Sequence, residues 1–371
     1  YAQMKLVCSR SNLLNGVQIV SKAVPGKTTM SILQCILINA SDKIKLTAND
    51  MELGIETIVE GDIIEPGIVA LEAKTFLEIV RKYPDGDIKI ETNDSYETVI
   101  TSGDAYIKIV GKSGEDFSYL PNIEKLDSII LSQFTLRELV RQTIFSIADN
   151  DTNKLMTGEL FEVNEDKLRV ASLDGHRISI RKVYLKNSYP KKKVVVPGKT
   201  LNEISKILNG DTDKDVVIFF TNKHIVFEFD NTTVVSRLIE GDYFNIDQML
   251  SSDYETKVTI NKRKLLDSID RATLLVKEGD KKPIIINITD ENMELKINST
   301  IGSMRELIDI SKNGKDLMIG FNPKFLIDAL RVIDGEEIDI YLVNPKAPCF
   351  IKDSEDSYVY MILPVNFTTV S

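Results

Sequence analysis

A chain of 371 residues, 43% hydrophobic and 27% charged, has the composition of an ordinary folded protein and the length for two or three cores. Fifty-six Asp and Glu against 46 Lys and Arg leave it at −10, which taken whole speaks against nucleic-acid binding until the charge is located. Three cysteines (Cys8, Cys35, Cys349) lie far apart and outside any CxxC pair, and the two histidines have no HExxH spacing. A disulfide framework is therefore excluded as the organising principle, no metal is expected, and the thiols read as reduced and buried. No apolar run approaches the roughly 20 residues of a bilayer span. The start lacks a signal-peptide pattern, and Tyr1-Ala2-Gln3 ahead of Met4 reads as an added leader. A cytoplasmic protein without a cofactor is expected.

Taken in order, the chain repeats one unit with a period of about 125 residues. An amphipathic helix opens each copy, with apolar positions at i, i+4, i+7 and i+11: Leu13, Val17, Val20, Val24, then Leu136, Val140, Thr143, Ile147, then Leu265, Ile269, Ala272, Val276. Strand-like runs follow ("KIKLTA", "KLRVAS", "MELKIN"). A second helix then begins near Lys74, Lys199 and Lys324, stops before Gly86, Gly210 and Gly335, and gives way to "DIKIET", "DVVIFF" and "EIDIYL". Each unit reads as helix, strands, helix, strands, an α+β domain with sheet on one side and two helices on the other. The boundaries predict domains at 4–125, 126–252 and 253–371.

Six helices are predicted at 10–27, 74–83, 132–147, 198–208, 261–277 and 322–333. They hold 17 Lys and Arg against 6 Asp and Glu, leaving 29 against 50 elsewhere. Positive helices on one surface would neutralise phosphates without reading bases, and acidic strands on the other would keep duplex DNA on the positive side. No basic stripe rich in aromatics for stacking single strands is visible.

Three motifs carry rival readings. Pro25-Gly26-Lys27-Thr28 and Pro197-Gly198-Lys199-Thr200 resemble the end of a phosphate-binding loop, but Ser21 and Lys193 stand where the first glycine belongs. Asp174-Gly175-His176-Arg177 is either a turn between strands or a binding site, and a phosphoesterase using Asp174 and His176 is the enzyme alternative. The run "YVYMILPVNF", broken at Pro364, is either an edge strand or the exposed wall of a peptide groove. A repeat-built peptide scaffold that never touches DNA is the other rival.

"MKLVCSRSNLL", "MTGELFE" ahead of "LDGHRISI", and "YMILPVNF" resemble, across the whole chain from Met4, the β-type sliding clamp of bacterial DNA polymerase III. The resemblance implies three similar clamp domains per chain, each with two helices packed on antiparallel sheets. It also implies a head-to-tail homodimer closed into a ring around duplex DNA, with no catalysis. Replicative polymerase, clamp loader and repair proteins would dock through short peptides in a cleft. One wall of that cleft would be Met156, Leu173, Gly175, His176, Arg177 and Ile178. The other would be Phe244, Gln248, Met249, Pro348, Met361, Leu363, Pro364, Val365 and Asn366. Arg10, Lys27, Lys74, Asn150, Lys154, Leu155 and Lys199 would face DNA. The subunit contact would pair the strand around Ile107 and Ile109 with Leu274 and Leu275, leucines that would otherwise read as core. Phe244 stands where proline is frequent, Lys154 and Leu155 where an aromatic pair is common, and Asn366 with the tail "TTVS" replaces a basic-then-apolar ending.

Overall fold

The computed structural model describes residues 3–149, 152–250 and 253–367. Its α-helices are α1 (Arg10–Ser21), α2 (Ala73–Lys82), α3 (Gln133–Arg141), α4 (Gly198–Ile207), α5 (Ile246–Met249), α6 (Lys262–Ala272) and α7 (Pro323–Leu330). Local chemistry sets several starts. The Ser9 hydroxyl accepts from the Asn12 N–H (3.2 Å), and the Asn261 and Asn322 side chains accept from the N–H groups of Lys264 and Lys324 (both 3.0 Å). Each such cap satisfies an orphan donor, worth about 1 kcal/mol.

The helices α1, α3 and α6 end earlier than the apolar stripe predicts. Val24, Ile147 and Val276 remain half-buried, but in turns and 3₁₀ segments after the helix, so the stripe continues in packing after it stops in backbone. The glycines are likewise not caps. α2 and α7 close on Tyr83 and Arg331, and Gly86 (φ 138°) and Gly335 (φ 100°) make the later turns into strands Asp87–Thr92 and Glu337–Leu342.

The chain packs into two compact units: residues up to Phe134 with Lys199–Leu238, and Thr135–Gly198 with residues from Ile239 onward. In the first, a five-stranded antiparallel sheet ends on the edge strand Ala105–Val110, and an eight-stranded one joins strands of two repeats. The join is the pairing of Thr232–Ser236 with Leu53–Thr57. Helix α1 lies close on this sheet at Gly16, where a Cβ would come within 2.6 Å of Val59.

In the second unit a seven-stranded sheet runs Gly158–Leu173, Arg177–Pro197, Tyr358–Ile362, Cys349–Lys352, Glu337–Leu342, Thr256–Asn261, Ser311–Gly314, beside a four-stranded sheet edged by Ser303–Asp309. Alternation gives the larger sheet two faces. Val258, Ile338, Ile340, Ile351, Tyr358 and Tyr360 point into the core with α6 and α7. Ile178, Ile180, Phe350 and Met361 point to the opposite face. Tyr358–Ile362 is thus an interior strand, not an edge, bonded to Arg177–Arg181 on one side and Cys349–Lys352 on the other. The middle repeat lends strands to both units.

Candidate functional site

The Asp174–His176 segment is a tight turn, with Gly175 at φ 89°. The Asp174 carboxylate accepts from the N–H groups of His176 (2.9 Å) and Arg177 (3.1 Å) and from Arg177 Nε (3.1 Å). It holds the turn. Arg177 is buried, 6% exposed, and its guanidinium also donates to Asp328 (2.7 Å) and the Phe145 carbonyl (2.8 Å) while lying 4.2 Å from the Phe325 ring centroid. One donor on each of its three nitrogens is engaged inside the protein, so it braces the turn. His176 remains exposed, its ring 6.0 Å from that of Phe325.

This turn ends a wall of apolar residues. Leu173, Ile178, Met361, Leu160, Ile246 and Phe350 form a buried cluster, and Met156, Phe244 and Leu250 pack half-buried against it. Met249 (38% exposed), Leu363 (36%) and Val365 (37%) leave apolar surface open to water. Gln248 and Asn366 are exposed at its margin, and Pro348 and Pro364 are half-buried. Two backbone bonds pin the terminal run: Leu363 N–H to the His176 carbonyl (3.0 Å) and Val365 N–H to the Gly320 carbonyl (2.9 Å). Short helix α5, capped by Asn245, carries Gln248 and Met249. The sequence missed Phe325 and Asp328; the only signal was that Asp328 is the single acid of helix α7.

Beneath the wall, Glu159 is fully buried, and neither of its carboxyl oxygens finds a hydrogen-bond partner among the described residues. Burial pushes its carboxyl up to about 8. The neighbouring Thr143 hydroxyl opposes this little, because it already donates to the Leu139 carbonyl (2.6 Å). Burial likewise raises the nearby Tyr243 and Tyr358 phenols.

The cationic positions differ among themselves. Lys27, Lys74 and Lys154 are exposed and form no ion pair among the described residues. Lys199 is exposed but bound to Asp50 (2.6 Å). Arg10 donates to the carbonyls of Val80 (3.0 Å) and Arg81 (2.6 Å) and to Asp85 (3.0 Å), closing the C-terminus of α2. Leu155, expected on the DNA side, packs instead on the apolar wall, since a leucine gains more from burial than from water. Asn150 lies outside the described residues, as do Thr368–Ser371. At the expected subunit contact, strand Ala105–Val110 exposes Tyr106 (70%), Ile107 (38%) and Val110 (76%), with Ile109 half-buried. Leu274 is 78% exposed and not core, whereas Leu275 packs on the core. The three cysteines are free and buried. Among the described residues no group of three His, Cys, Asp or Glu is placed to hold a metal, and no helix is long and apolar enough to cross a membrane.

Models of the DNA polymerase III beta subunit match the chain in three successive parts: the N-terminal domain at 4–121, the central domain at 130–245 and the C-terminal domain at 247–366. A Beta sliding clamp of Staphylococcus epidermidis is 33% identical over 98% of this chain and 99% of its own length. Among solved structures, a DNA polymerase III beta subunit of Eubacterium rectale is 72% identical with a TM-score of 0.96, covering 98% of this chain and 100% of that one. The DNA polymerase sliding clamp of Bacillus subtilis is 34% identical with a TM-score of 0.95, covering 99% and 100%. The chain belongs to the DNA polymerase III beta subunit family, and its fold is that of three α+β clamp domains built on antiparallel sheets.

Proposed function

We propose that two copies of this chain close head to tail into a ring around duplex DNA and serve, without catalysis, as a processivity factor. The ring tethers the replicative polymerase, clamp loader and repair proteins through short peptides. The repeats at 4–125, 126–252 and 253–371 are its domains. The observation that carries this reading is the apolar wall. Leu173, Ile178, Met361, Met156 and Phe244, spread over more than 200 residues of sequence, meet in one cluster whose rim leaves Met249, Leu363 and Val365 exposed. Such a surface, with adaptable methionines and few polar groups, suits a ligand of varied sequence.

A Gln-x-x-Leu-Phe peptide should bind with micromolar affinity, about −8 kcal/mol or weaker. Met361→Ala with Leu363→Ala should cost about 1–3 kcal/mol of that. Equal affinity of the two proteins in a titration places the peptide elsewhere and removes the reading. The unpaired edge Ala105–Val110 and the exposed Leu274 support the subunit contact, because an edge strand with apolar side chains asks for a partner. Leu274→Lys should therefore give a monomer by sedimentation with an unchanged melting temperature; a dimer that survives the change disproves this contact. DNA contact falls to Lys27, Lys74, Lys154 and Lys199, as point charges indifferent to base sequence.

A further inference from the structure

The apolar wall does not end at Met361. Residues directly opposite one another on neighbouring strands share a face. One such row runs Leu173, Ile178, Met361, Phe350, Tyr341, Lys257 across six strands. The next row toward the open side runs Ala171, Ile180, Val359, Lys352, Asp339, Thr259. The row therefore leads from Met361, through the buried Phe350, to a place where Tyr341, itself packed on the same apolar cluster, lies between two lysines. Lys352 Nζ is 4.9 Å and Lys257 Nζ 5.7 Å from its ring centroid, and the half-exposed Tyr254 meets it edge to face at 5.0 Å.

Neither lysine has a carboxylate within ion-pair distance among the described residues. Three acids near them have other partners among the described residues. Asp339 accepts from the Thr259 hydroxyl (2.7 Å), Glu255 pairs with Lys315 (3.3 Å), and Asp353 holds the N–H groups of Ser357 and Tyr358. In a protein of net charge −10, two unpaired cations over an aromatic ring, flush with an apolar floor, form a local site for negative charge.

We propose that this strip is an extension of the peptide cleft that receives an acidic segment lying next to the docking motif of a partner protein. The proposal rests on the cleft reading above. At about 4.8 Å between strands, Tyr341 is about 10 Å and Lys257 about 14 Å from Met361. An extended peptide covers that distance in three to four residues. The complementary ligand is thus a motif peptide with Asp or Glu three to four residues beyond its apolar anchor. Carboxylates there would meet Lys257 and Lys352, with the tyrosine face beneath them. A second lysine-flanked tyrosine on the same sheet, Tyr184 between Lys167 and Lys182, lies farther along the strand from Ile178 and supplies a matched control.

The test is fluorescence anisotropy with a labelled Gln-x-x-Leu-Phe peptide, bare or extended by four aspartates at either end, against wild type, Lys257→Gln/Lys352→Gln and Lys167→Gln/Lys182→Gln. One of the two extensions should tighten binding to wild type about fivefold at low salt, as two exposed ion pairs allow. That gain should vanish with Lys257→Gln/Lys352→Gln and persist with Lys167→Gln/Lys182→Gln, while the bare peptide binds all three proteins alike and so reports an intact fold. No gain from either extension, or a gain that follows Lys167 and Lys182 instead, overturns the proposal. Absence of any binding by the bare peptide overturns the cleft reading itself, and the strip with it. A labelled oligothymidine is run in parallel. If it, and not the acidic extension, loses affinity in Lys257→Gln/Lys352→Gln, the strip serves nucleic acid and the proposal is wrong.

Discussion

The apolar wall and the exposed cations solve opposite problems. Leu173, Ile178 and Met361 come from three strands and hold one another in place, with Arg177 bracing the turn beside them through Asp174 and Asp328. Lys27 and Lys74 stand singly in water, and their neighbours do not depend on them. A site for a shaped ligand must be rigid before the ligand arrives. A site for a polyanion needs only charge at the right surface, since phosphate contacts are indifferent to base sequence. Damage should therefore spread in the first region and stay local in the second.

Arg177→Ala is the strongest way to expose that difference. It strands two carboxylates, neither more than 22% exposed at its side chain, and should lower stability by about 3–5 kcal/mol in urea unfolding. Arg177→Lys should recover little, because an ammonium cannot span three acceptors in one plane. A loss under 1 kcal/mol would mean the brace carries no weight.

Glu159 sharpens the comparison through pH. Its folded carboxyl sits near 8 against an ordinary 4.5, so the folded protein holds a proton that the unfolded chain releases. Its contribution to stability is greatest below about 4.5 and falls as pH rises from about 5 to about 8, by up to about 1.4 kcal/mol per unit. Glu159→Gln should flatten that slope. A melting temperature with the same pH dependence in both proteins rules the effect out.

The smallest effects belong to the cations. Arg10→Ala should cost about 1 kcal/mol, because it uncaps α2, whereas Lys74→Glu should move stability by less than about 0.5 kcal/mol. On DNA the order should reverse, with Lys74→Glu lowering the salt slope of binding by about one and Arg10→Ala leaving it unchanged. Equal DNA defects from the two would erase the distinction between a capping arginine and a surface lysine.

What was readable in the sequence was what repeats. Three copies of two stripes located the long helices, and "DIKIET", "DVVIFF" and "EIDIYL" coincide with strands Asp87–Thr92, Asp215–Phe220 and Glu337–Leu342. Helix ends were less legible, since Val24 and Val276 pack equally well just after the helix stops. Pairings over distance left no trace: nothing near Arg10 announces Asp85, nor near Lys199 Asp50. The basic stripe with aromatics that the sequence does not display exists on the folded sheet, where strand pairing brings Lys257, Tyr341 and Lys352 together. Where Leu155 and Arg177 pack was illegible for the same reason, their partners being remote.

The seam where Thr232–Ser236 is zipped to Leu53–Thr57 bears on what can be expressed alone. A fragment cut after residue 125 would keep the first repeat's own helices and strands but strip the covering from Leu53–Val59, a run that holds Ile55, Ile58 and Val59 and a single charge, Glu56. A bare strand edge of that kind recruits another chain, so the fragment should pass through a sizing column as an aggregate, although its sequence has the outline of a self-sufficient module.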